Sequence, residues 1–181
     1  MQEKNYSFAN HLHNYAVWTA ARAVQRSFTS TKKIKAAIDY STLRQFAEST
    51  ESCTKEKFDE NHSMWADQLI EGFQTEGIEN VSYGRAAKII SIYLKTSVVL
   101  PNKAACNRSE IIHAPIDNIL LTALAEAKPK FKKEFRLKWT LLKKEDYWKL
   151  INDIESAGEP INWRLEKYWR PEQDKIENQE L

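Results

Sequence analysis

Four glycines and five prolines are all that 181 residues provide for tight turns, too few for the many short connections of an all-β fold. The periodic stretches repeat their apolar residues at helical spacing instead. In "RAAKIISIYLKTSVVL", Ala86, Ile89, Ile90, Tyr93, Leu94 and Val98 are candidates for an inward face, until Pro101 ends the run. The expectation is an all-α protein of roughly eight helices in a single globular domain, residues 1–170. The last eleven residues, 171–181, carry four acids and one Lys and read as an acidic, frayed tail. Apolar residues make up 42% of the chain and six are Trp, enough to fill a core.

Residues 10–26 place Val17, Ala20, Ala21 and Val24 on one helical face. Two short helices follow, the first capped from Thr29, Ser30 or Thr31 and the second from Ser41. Residues 54–71 form a further helix with Phe58, Trp65, Leu69 and Ile70 as its apolar positions, and His62 reads there as a partly buried polar residue. Ser82 is the expected cap of the helix that runs to Pro101. Pro115 opens the next helix, with Asp117 in its first turn, where a carboxylate stabilises the macrodipole by about 0.3–1 kcal/mol. Residues 143–156 and 160–169 complete the set.

The net charge of +2 does not by itself imply a polyanionic partner. Its distribution is more telling. Residues 128–144 hold eight basic side chains and one acid, Glu134, and Phe131, Phe135 and Trp139 recur through them every four residues. The pattern predicts an amphipathic helix, whose Lys130, Lys132, Lys133, Arg136 and Lys138 are candidate phosphate contacts. Cys53 and Cys106 stand alone, without CxxC spacing, and fit a reducing compartment. No apolar leader core and no run of eighteen apolar residues occurs, so the expectation is a soluble, cytoplasmic protein. His11 and His13 are two apart and neither Cys has a neighbour, so no metal site is expected. GxxxxGK[ST], GxGxxG and GxSxG are all missing, and no cofactor is expected.

What remains is an ordering of residues. Gly72, Gly77 and Gly84 fall within "EGFQTEGIENVSYGRAAK", between two helices, where a backbone must turn sharply or approach something closely. "AAKIISIYLK" follows, and then "APIDNILLTAL". This order resembles the helix-hairpin-helix DNA glycosylases, and the archaeal 8-oxoguanine glycosylase branch more than the common one. The resemblance covers residues 65–124 and lacks a compact "LPGVG"-type hairpin. It implies double-stranded DNA as partner, DNA repair as the role, Lys88 as the amine that attacks the sugar and Asp117 as the catalytic carboxylate. Gly84 and Arg85 would contact phosphate at the 72–85 turn. Trp65, Tyr83 and Trp139 would be available to stack on an extruded base.

Such a site has a physical basis. Breaking a glycosidic bond develops positive charge on the sugar, which a carboxylate stabilises. A Lys amine is a nucleophile when burial or neighbouring cations lower its pKa. Two other classes stay open. Arg108 and His113 have the R-x4-H spacing that resembles the ribonuclease motif of the all-helical HEPN family, with His as acid or base. A non-enzymatic helical interaction module would instead present Trp148, Trp163, Tyr168 and Trp169 to a protein partner.

Overall fold

The computed structural model describes residues 6–24 and 28–170, and within them every regular element is helical, with no strand. Eight α-helices follow in order: α1 (Phe8–Val24), α2 (Thr31–Tyr40), α3 (Leu43–Glu48), α4 (Lys55–Thr75), α5 (Tyr83–Leu94), α6 (Asn118–Ala127), α7 (Lys132–Phe135) and α8 (Lys144–Ser156). The acidic tail expected at 171–181 lies outside the described residues.

Helix α5 is the axis of the molecule. Ten of its twelve residues are buried, because α1, α4, α8 and the Trp139–Leu141 turn surround it. A strip of alanines on α1, Ala16, Ala20 and Ala21, is fully buried and lets that helix pack close to its neighbours. Gly72 does the same between α4 and α2: a Cβ there would stand 3.0 Å from Ala37 Cα. Gly77 ends α4 at φ +71°, a left-handed position that favours glycine.

The caps follow the local chemistry. Ser30 Oγ accepts from Lys33 N–H and Ser82 Oγ from Arg85 N–H. Ser41 works one residue earlier than a cap, accepting from Leu43 N–H while donating to the Ile38 carbonyl. Helix α5 then widens into a π turn, Lys95–Val99, in which Leu100 N–H reaches the Lys95 carbonyl. Thr96 and Ser97 hydroxyls donate to the carbonyls of Ile92 and Tyr93 there.

Two sequence expectations need correction. Pro115 does not open α6. It is buried in the extended entry to that helix, and Asp117 itself is the N-cap, accepting from Leu120 N–H at 3.0 Å. Residues 128–144 do not form one helix either. They break into a 3-10 turn at Pro129–Phe131, the four residues of α7, and a second 3-10 turn at Trp139–Leu141. Phe131 and Phe135 stack on each other, whereas Trp139 turns away onto α5. Packing on α5 overrides the four-residue apolar period.

Candidate active site

Lys88 lies halfway along α5, and only 7% of the residue is exposed. A Lys at that depth needs a partner. Its Nζ is 3.2 Å from Asp117 Oδ2 and sits over the Trp139 ring, 4.4 Å from the centroid. Burial pulls the ammonium pKa below its ordinary value, and the Asp117 carboxylate restores only part of the loss. The amine is therefore easier to deprotonate than a surface Lys.

Asp117 is held from three directions. Oδ1 takes the Leu120 N–H, while Oδ2 takes both Lys88 and the indole N–H of Trp169, the latter at 3.2 Å. A helix cap and a lysine partner are thus one side chain, with one oxygen for each task. The pair lines a cleft of about 510 Å³, together with Arg22 of α1, Arg85, Lys95, Trp139, Glu166 and Trp169. Lys95 pairs with Glu166 across the same cavity.

Trp139 reaches Lys88 because of Gly84. The Gly84 N–H donates to the Leu142 carbonyl at 3.1 Å, and a Cβ at 84 would stand 1.9 Å from the Trp139 carbonyl oxygen. The 139–142 segment lies directly on the first turn of α5. This takes Gly84 out of the expected phosphate contacts, since its amide is already bonded and its face is covered. Arg85 does line the cleft, with its guanidinium 4.7 Å from the Phe28 ring centroid.

The other expected residues separate into two groups. Trp65 is buried against Phe46 and Phe58, and Tyr83 is buried with its hydroxyl bonded to the Trp148 indole N–H. Neither can stack on an incoming base, and of the three candidates only Trp139 faces the cavity. Lys130, Lys132, Lys133, Arg136 and Lys138 are all exposed. Lys132 and Arg136 border a smaller pocket that shares Asn118 with the main cleft.

Arg108 and His113 do not form a ribonuclease pair. Arg108 donates to the Phe46 carbonyl, while His113 is sealed in the core against the Tyr147 hydroxyl. The four aromatics near the C-terminus do not share a face. Trp148 packs inward on His62 and His113, Tyr168 donates to Glu159, and Trp169 reaches Asp117.

Sequence reading missed Arg22, Lys95 and Glu166 as cleft residues, and assigned Trp169 to a different role. Lys95 shares the helical face of Lys88, seven residues earlier, whereas nothing in the local sequence of Arg22 and Glu166 marks them, because tertiary packing alone brings those two to Lys88. Both cysteines are free. Among the described residues no cluster of His, Cys, Asp or Glu is arranged to hold a metal ion, and no helix is long and apolar enough to cross a membrane. No protein-family model matches the chain, and neither a curated protein nor a solved structure matches it.

Proposed function

We propose that this protein binds double-stranded DNA and removes a damaged base, with Lys88 as nucleophile and Asp117 as its electrostatic partner. The observation that carries the reading is the Lys88–Asp117 pair, 3.2 Å apart on the wall of an open cleft. A buried Lys whose proton affinity is lowered, beside a carboxylate and next to space for a ligand, has the chemistry that base excision requires.

In this reading the neutral Lys88 amine attacks C1′ of the sugar as the bond to the base nitrogen breaks, and the electron pair of that bond leaves with the base. The base takes up a proton released by the new ammonium. Asp117 stabilises the positive charge that develops on the sugar. The sugar ring oxygen then leaves C1′, takes a proton from solvent, and a protonated imine joins Nζ to C1′. The flipped nucleotide would sit against Trp139, and the exposed bases from Lys130 to Lys138 would hold the phosphate backbone.

Borohydride tests this directly, since hydride addition to C1′ converts the imine into a stable secondary amine. A duplex carrying 8-oxoguanine should give a covalent adduct that Lys88→Gln loses. No adduct across a panel of lesions would overturn the lyase chemistry. A helical interaction module without catalysis has its own supporting observation, the Tyr15 and Trp18 rings stacked on α1 with about half of each residue exposed. Undetectable DNA binding at low salt would leave that reading in place of this one.

A further inference from the structure

The second ion pair of the cleft uses a carboxylate from the chain's own C-terminal strap. Lys95 stands seven residues after Lys88, two helical turns along, where the π turn begins. Its Nζ pairs with Glu166 and lies 5.7 Å from the centroid of the Trp169 ring. Arg22 and Arg85 line the same cavity and form no ion pair among the described residues. Four basic side chains therefore face two carboxylates, Asp117 and Glu166, and a cavity with that imbalance attracts anions.

Glu166 comes from the 3-10 turn Trp163–Tyr168, in which Leu165 is the one buried residue. Two other anchors of this strap lie outside the cavity: Arg164 pairs with Glu110, and Tyr168 donates to Glu159. The strap thus remains attached when Glu166 is displaced.

We infer that Lys95, with Arg22 and Arg85 on the same walls, forms a phosphate subsite in which the Glu166 carboxylate holds the place of a phosphate. Carboxylate and phosphate oxygens both accept charge-assisted hydrogen bonds from an ammonium, so one can exchange for the other on Lys95. The inference rests on the reading of this cleft as a nucleotide site, and adds the group gripped beside the reacting sugar. Substrate and strap then compete: a phosphate entering the subsite lifts Glu166 away. The phosphate is either a backbone diester or the monoester of a free nucleotide.

The test titrates the full-length protein with thymidine 5′-monophosphate, with a short labelled oligothymidylate, and with thymidine as the phosphate-free control. Glu166→Gln should tighten binding of a phosphate-bearing probe roughly tenfold, and Lys95→Gln should weaken it by a similar factor, with thymidine unaffected. Tightening of the monophosphate assigns a free nucleotide, and tightening of the oligonucleotide assigns the backbone. Lys95→Arg keeps the charge and should keep binding, provided each variant melts as a folded protein. Phosphate affinity that is unchanged or lower in Glu166→Gln overturns the subsite and makes the Lys95–Glu166 pair a plain strut. The Lys88 adduct is read separately. Its absence with the Glu166 response intact removes the excision chemistry alone, and its presence without that response removes the subsite alone.

Discussion

Two regions of this molecule hold buried titratable groups, and they differ in one respect. Around His62, the core contains His113, Tyr147, Tyr83 and Asp59, joined by contacts of 3.0 to 3.3 Å. The cleft holds Lys88, Asp117 and Trp169, joined at 3.2 Å, with the Trp139 ring centroid 4.4 Å from the Lys88 amine. Both clusters shift proton affinities. Burial drives His62 well below its ordinary value, lowers His113, and pushes Tyr83 up to about 12. Yet His62 and His113 are sealed from solvent, at 0% and 1% exposed, whereas the lysine cluster lines a cleft of about 510 Å³. Perturbed proton affinity follows from burial in both places, so access to a ligand is what separates a candidate site from a polar core.

That contrast predicts opposite responses to substitution. Removing a member of the core cluster should act on stability. His113→Ala leaves a cavity and deprives the Tyr147 hydroxyl of the nearer of its two histidine partners, at a cost of about 3 kcal/mol read from denaturant melts. A cost under about 1 kcal/mol would mean the cluster is not the tightly packed region described.

Acid should reveal the same region. The folded protein keeps both histidines neutral by burial, whereas the unfolded chain binds their protons near pH 6.5. Stability is therefore complete above about pH 6.5 and falls as pH drops below it, by up to about 1.4 kcal/mol per pH unit for each His. His13, lowered chiefly by burial, adds in the same direction. Chemical denaturation at several pH values checks the slope, and a flat profile from pH 7 to 5 would contradict it.

Gly84 joins the two regions, since α5 carries Tyr83 into the core and Lys88 into the cleft. Gly84→Ala should cost about 2 kcal/mol by forcing the 139–142 segment away. It should also move Trp139 off Lys88, which indole fluorescence would report. Asp117→Asn keeps the helix cap, because Asn caps a helix as well as Asp, but it leaves the buried Lys88 ammonium without its counter-charge, at a cost on the order of 2 kcal/mol. The adduct yield should fall about 100-fold, since the charge is gone. An adduct yield that falls only as far as the folded fraction does would make Asp117 structural.

Much of the scaffold was readable from residues alone. Helical spacing outlined α1, α4, α5 and α8, Ser82 announced the helix it caps, and Ser30 was one of three candidates, with Thr29 and Thr31, for the cap of α2. Lys88 and Asp117 were legible as a pair through their order along the chain, although their burial was not. The polar-face position of Lys88 suggests a solvated side chain, and the 139–142 segment lying across α5, together with Asp117, covers it. Residues 128–144 misled for a related reason: a four-residue apolar period reads the same whether the residues face one partner or, as here, two. Glu166 and Arg22 carried no signal, since Glu166 reaches Lys95 from 71 residues away in sequence and Arg22 comes to the cleft from a different helix.

The cleft's four central side chains come from positions 88, 117, 139 and 169. During synthesis, a chain that has grown past α6 already holds the lysine and its carboxylate, but neither indole that encloses them. The ion pair therefore stays open to water until nearly the last described residues have emerged and docked. Translation itself sets the order: the electrostatic half of the site is made first, and the aromatic half that shields it is made last.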